Sequence, residues 1–231
     1  MLIFPLELDF CHLAGGALLP TMDLRWCDVR IIPRTPATDG FATAAAATMM
    51  DEIMGMELVE KQVLYTGRKI RLEIHHLRDE EGNRYQHEVC AHNGAVVILP
   101  WMDSQTIVLI KNFRYAVGGP LVELPAGTLE KKEDPMNCAG RELLEETGFL
   151  AGRLTRLASF FSSPGVLSER MYAFAAFDLE RSQTALEIGE QIEPLPTLFD
   201  EAVQMCGDGR IVDGKTIATI LLYERFFRNK V

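Results

Sequence analysis

At 231 residues the chain is long enough for one domain, alone or with a small accessory unit, and 48% apolar residues can supply a sizeable core. A net charge of −10 argues against a nucleic-acid scaffold, because phosphate binding needs a basic face, and no apolar run approaches the ~20 residues of a membrane span. Cys11, Cys27, Cys90, Cys138 and Cys206 show no CxxC and no paired spacing with His, so they read as free thiols of a reducing, cytoplasmic setting.

Residues 1–55 are expected to be a poorly ordered extension. The apolar start carries Glu7 and Asp9 and lacks a basic leader, which argues against a signal peptide, and 33–50 is a Pro/Thr/Ala-rich stretch without amphipathic period. Met49, Met50, Met54 and Met56 also leave room for a later natural start. From Glu57 the pattern changes. Residues 61–65, 69–77 and 85–90 read as strands, with Thr66-Gly67 and Asp79–Asn83 as turns. This antiparallel β-meander, 56–92, is too small to bury itself alone, so it is read apart from a main domain, 93–231.

Residues 95–100 and 106–113 read as buried strands. Arg114 follows, a candidate to hold a phosphate in a bidentate fork, with a surface salt bridge as the alternative. Glu123 lies in the segment Leu121–Gly127 and either binds substrate or braces that loop. Asp134 then caps a helix, Pro135 fits its first position and Gly148 supplies a left-handed stop. At roughly 100° per residue, Glu142, Glu145 and Glu146 share one arc of that helix, while Met136, Gly140, Leu143 and Leu144 can face a core. Carboxylates 4 Å apart repel by about 1 kcal/mol in water and nearer 4 at an effective dielectric of about 20. A half-buried acidic arc is therefore unfavourable without a cation, and an all-oxygen set suits Mg²⁺, or Mn²⁺.

Beyond it, 153–161 and 170–179 read as strands around a loop, Ser162–Gly165. An acidic loop, 186–194, leads into a last strand, and 199–206 and 215–227 read as amphipathic helices, the first ended by Gly207. None of the five histidines falls in the 127–149 stretch, and no Ser/His/Asp set is visible, so covalent catalysis is not indicated.

Gly127, Glu133, Arg141-Glu142-Leu143, Glu145-Glu146 and Gly148-Phe149 together resemble the Nudix box, G-x5-E-x7-R-E-U-x-E-E-x-G-U, at every fixed position. A wider resemblance, to ADP-ribose pyrophosphatase-like members, runs from about residue 57 to the C-terminus. It includes the E-x-P-A-G segment, the meander, and Pro164, sixteen residues after Gly148 in a Ser-Pro-Gly loop. The resemblance implies an α/β (α+β) Nudix fold, a mixed sheet between helices. It implies that Glu142 and Glu146 share a metal, that Glu145 holds a second or binds through water, and that the Ala126 carbonyl is a ligand. Arg141 would orient a carboxylate such as Glu133. A loop glutamate would act as base or metal ligand; Glu190 and Glu187 both stand there, with Glu190 nearer the expected spacing. Pro164 joins Arg114 and Glu123 as a candidate contact to substrate. The implied reaction is Mg²⁺-dependent hydrolysis of a nucleoside diphosphate sugar, ADP-ribose to AMP and ribose 5-phosphate, with GDP-mannose as the alternative. The meander would pair with a second subunit in a homodimer, or fold back on its own domain. A non-catalytic nucleotide-sugar sensor would be expected to show a damaged box or a DNA-binding domain. The box is complete, and the first 55 residues show no helix-turn-helix pattern. RNA-cap removal fits poorly with the acidic balance.

Overall fold

The computed structural model describes residues 55–182 and 192–228, all within the unit spanning 42–231. The extension expected to be poorly ordered, and the loop positions Glu187 and Glu190, lie outside the described residues.

Strands β1 (Met56–Thr66), β2 (Ile70–Asp79) and β3 (Arg84–His92) form an antiparallel sheet in that order. The expected turns join them. Gly67 donates its N–H to the Ile70 carbonyl at 2.8 Å, and the Asp79 carboxylate accepts the Asn83 N–H at 2.8 Å. Val59, Val63, Leu64, Tyr65 and Ile70 stay exposed, because three strands alone cannot cover both of their faces.

The main core is organised by β4 (Ala95–Pro100), buried along its whole length. Its side chains alternate between two clusters, as the period of a strand requires. Val96 and Ile98 join Cys138, Ala139 and Leu143 of helix α1 (Pro135–Thr147). Ala95, Val97 and Leu99 join Phe199 and Ala202 of α2 (Phe199–Asp208) and Ile220 and Tyr223 of α3 (Gly214–Phe226). Strand β9 (Arg170–Arg181) pairs with β4 in parallel and divides its residues the same way, Phe174 and Ala176 against Met171, Ala173 and Ala175. With β7 (Ala126–Thr128) and β8 (Phe149–Phe161) at the edges, the order is β7-β4-β9-β8. This mixed sheet lies between α1 on one face and α2 with α3 on the other, the α+β arrangement expected. Burying each aliphatic side chain here contributes about 1.5–3 kcal/mol. A third sheet, in the order β10-β5-β6, joins β5 (Thr106–Arg114), β6 (Gly119–Glu123) and β10 (Ile192–Leu198). Pro194 and Pro196 are tolerated in β10 because it is an edge strand.

Several expectations need correction. β8 starts at Phe149, directly after the helix stop, four residues earlier than its sequence pattern suggests. Helix α2 runs through Gly207 and ends at Gly209, whose φ of 84° is the left-handed stop; a glycine inside a helix costs only about 1 kcal/mol relative to alanine. Met136 is exposed on α1, and Cys138 and Ala139 fill the core in its place.

Candidate active site

Helix α1 is held in phase at both ends. The Asp134 carboxylate accepts the Met136 N–H at 2.9 Å, and Gly148, at φ 72°, donates to the Leu144 carbonyl at 2.9 Å. With Cys138, Ala139 and Leu143 committed to the core, Glu142, Glu145 and Glu146 turn to a cleft of about 930 Å³. Arg114, Ala126 and Lys215 line it from other elements.

The strand before α1 passes very close to these carboxylates. A Cβ built on Gly127 would stand 1.8 Å from Cδ of Glu142, so only glycine leaves that carboxylate where it is. Glu146, nearly buried, accepts the Ala126 N–H on Oε2 at 2.9 Å. The Ala126 backbone is thereby tied to the helix whose acids line the cleft. Arg141 grips Glu133 through two bonds of 3.0 Å, and its Nη1 also donates to Glu142 Oε1 at 2.8 Å and Glu145 Oε2 at 3.0 Å. These hydrogen bonds hold the Glu133 carboxyl below its ordinary range, against a smaller opposing effect of burial, and they raise Arg141 further above its own. The Cys138 thiol, beside them, is pushed up mainly by burial, so it stays protonated and is no nucleophile.

One guanidinium thus answers three carboxylates, with Glu146, within electrostatic reach of Arg114, a fourth acid nearby. The donor set suits a hard cation: carboxylates of Glu142, Glu145 and Glu146 and the carbonyl of Ala126, all oxygen. Among the described residues no three His, Cys, Asp or Glu side chains converge on one metal-sized point. Magnesium does not require that, since it is usually held by one or two carboxylates, waters and substrate phosphate. The residues present therefore fit such an ion.

Across the cleft the charges balance. Glu123 is fully buried. Arg114 donates to it through Nε at 2.8 Å and Nη2 at 2.6 Å, and Lys215 Nζ reaches the same carboxylate at 2.6 Å. Burial would raise the Glu123 pKa, but the two cations outweigh it and hold it low. Lys215 also meets Asp213 Oδ1 at 2.9 Å. Asp213 caps α3, its Oδ2 accepting the Thr216 N–H at 3.0 Å. The Thr216 hydroxyl in turn accepts the Leu124 N–H at 2.8 Å.

Of the residues singled out in the sequence, Arg114, Ala126, Arg141, Glu142, Glu145 and Glu146 line one cleft. Glu123 stands behind it. Pro164 is exposed in its loop and is not among the lining residues, whereas Phe161 and Ser162 are. The sequence pattern does not mark Asp213, Lys215 and Thr216 as part of the site. An Asp before an apolar helical run marks a helix start, but nothing local ties Thr216 to a segment ninety-two positions upstream. Arg68, Lys69 and Phe160 also line the cleft, and no local motif marks them.

The NUDIX domain family matches residues 91–204. The chain is 32% identical over 164 residues to the ADP-ribose pyrophosphatase of Bacillus subtilis, covering 70% of this chain and 89% of that protein. It is 38% identical over 134 residues to the GDP-mannose pyrophosphatase of Klebsiella pneumoniae, covering 54% and 67%. A crystal structure of an ADP compounds hydrolase shares the fold at TM-score 0.67 and 21% identity, over 75% of this chain and 95% of that one. The chain belongs to the Nudix hydrolase family.

Proposed function

We propose that this chain is a Mg²⁺-dependent pyrophosphatase that cleaves the diphosphate linkage of a nucleoside diphosphate sugar, with ADP-ribose as its substrate and AMP and ribose 5-phosphate as products. The observation that carries this reading is the cleft itself, which an all-oxygen acidic arc lines together with Arg114, a guanidinium held in place by the buried Glu123. The similarity to an ADP-ribose pyrophosphatase supports the choice of substrate. GDP-mannose is the second reading, favoured by the similarity to a GDP-mannose pyrophosphatase.

Glu142, Glu146 and the Ala126 carbonyl would hold the ion, with Glu145 binding it through water or holding a second. When bound, the ion withdraws charge from the diphosphate and acidifies water. The chain does the rest. Arg141 gathers and orients Glu133, Glu142 and Glu145 around one guanidinium. Arg114 presents a planar donor to a phosphate. A water attacks one phosphorus, the bond to the bridging oxygen breaks, and a carboxylate takes the proton. We assign that proton to Glu190, with Glu187 as the alternative.

The same reading treats 56–92 as an accessory unit and 93–231 as the catalytic domain, with a second copy of the chain covering the apolar side chains of the first sheet. It also places the protein in the cytoplasm. Among the described residues no helix is long and apolar enough to cross a membrane, and Cys90, Cys138 and Cys206 are free thiols. Sedimentation tests the homodimer: a monomer at micromolar concentration contradicts it. A turnover panel of ADP-ribose, GDP-mannose, ADP-glucose, diadenosine polyphosphates and a dNTP, with and without Mg²⁺, tests the function. ADP-ribose should be cleaved fastest and only with the metal; preference for GDP-mannose would replace the substrate, and failure on every nucleotide sugar would reject the reading.

A further inference from the structure

The buried Glu123 poses a question of charge. A bidentate arginine already neutralises one carboxylate, yet Lys215 is drawn to the same group, and Asp213 is there to balance it. For neutrality alone, Arg114 with Glu123 would be enough.

The extra pair has a geometric consequence. Glu123 ends β6, and Arg114 ends β5, two strands that pair with Arg114 opposite Gly119. Lys215 and Asp213 belong to the first turn and cap of α3. The contact therefore joins the sheet edge to a helix whose start is fixed by Asp213 and Thr216. Thr216 adds a second tie one residue along, through the Leu124 N–H. Pro125 is fixed by its carbonyl to the Ile98 N–H at 2.9 Å, and Ala126 by its N–H to Glu146. Each residue from Glu123 to Ala126 is thus pinned, Glu123 and Leu124 by α3, Pro125 by β4 and Ala126 by α1.

With its Oε2 held by both cations, Glu123 cannot rotate away from Arg114. It occupies the Nε and Nη2 donors of the guanidinium, which leaves Nη1 for an anion in the cleft that Arg114 lines. We propose that Lys215 is a positioning residue: by clamping Glu123 to the start of α3, it fixes the plane in which Arg114 offers Nη1 to a phosphate of the substrate. This rests on Arg114 as a phosphate ligand, as in the function proposed above. Lys215 acts through Arg114 and does not itself touch the phosphate.

The distinction is measurable with a double-mutant cycle. The probe is inorganic pyrophosphate in Mg²⁺ buffer, its Kd read by titration calorimetry, so the test does not depend on which nucleotide sugar is cleaved. The proteins are wild type, Arg114→Ala, Lys215→Met and the double variant. Lys215→Met should raise Kd about tenfold, a loss near 1.4 kcal/mol, and should add nothing when Arg114 is already alanine. KM for ADP-ribose should rise in step, while kcat stays within about twofold, a split that general loosening of the fold would not give. Multiplying effects in the double variant would overturn the proposal and make Lys215 an independent phosphate ligand. An unchanged Kd in Lys215→Met, or no binding of pyrophosphate to the wild-type protein, would overturn it too. If Lys215→Met does not fold, Asp213→Asn frees the ammonium from its anchor and leaves Arg114 on Glu123; the same cycle with Arg114→Ala then separates the same outcomes. A wild-type protein that binds pyrophosphate but cleaves no nucleotide sugar would count against the proposed function and leave the cycle to decide the role of Lys215.

Discussion

Glu133, just before α1, shares the guanidinium of Arg141 with Glu142 and Glu145 on it, and Glu146 accepts a backbone N–H. At the start of α3, Glu123 and Asp213 are matched by Arg114 and Lys215, two against two. The two regions face one cleft. In the unbalanced one carboxylates crowd one base, and a divalent ion would ease their repulsion; in the balanced one the ion pairs match and can hold a side chain in place. Charge surplus marks where a ligand must come, and charge balance marks where the protein has already settled its geometry.

The comparison can be broken at several points. Glu146→Gln should have the largest effect. Glutamine keeps an oxygen for the Ala126 N–H, so melting should barely change while turnover falls about a thousandfold, the ~4 kcal/mol of a lost transition-state charge contact. Activity near wild type would show that the acidic surplus is not used. Gly127→Ala comes next, because its methyl must displace the Glu142 carboxylate. Turnover should fall about 10–100-fold, the range for a disturbed ligand, with circular dichroism and melting nearly unchanged; a large loss of stability instead would mean that the close approach serves packing. Thr216→Val acts on the balanced side, leaving the Leu124 N–H buried without its acceptor. That costs about 1–3 kcal/mol and should lower Tm by several degrees, visible by calorimetry. An unaltered Tm would remove Thr216 from the set of ties.

The smallest effect concerns acid. Hydrogen bonds from Arg141 hold the Glu133 carboxyl below its ordinary value of 4.5. A carboxylate lowered in the folded state stabilises the fold above its unfolded pKa, and that contribution is lost as pH falls through the lower, folded one. Tm should therefore drop more steeply from about pH 5 to about pH 3 in the wild-type protein than in Glu133→Gln. Parallel curves would mean that the pair contributes nothing.

The unbalanced side was legible in the sequence because its signals are local. Asp134, Pro135 and Gly148 bracket α1, and the spacing of Glu142, Glu145 and Glu146 sets their common face. Of the balanced side only Arg114 and Glu123, nine positions apart, stood out; the rest is made of contacts at long range, since Lys215 to Glu123 and Thr216 to Leu124 each span ninety-two positions. Local pattern also misjudged depth. Met136 looks like a core residue on a helical wheel, yet it lies in the first turn and is exposed, while the smaller Cys138 and Ala139 pack against β4. β7, three residues long, is too short for any period to show; it exists because the Ala126–Thr128 backbone pairs with β4.

Binding of Mn²⁺, followed by its electron paramagnetic resonance signal, tests the acidic arc most directly and needs no turnover. The wild-type protein should take up the ion, and Glu142→Gln and Glu146→Gln should each bind it at least ~10-fold more weakly while remaining folded. Wild-type affinity in both variants, or no uptake by the wild-type protein with or without nucleotide, would contradict the account.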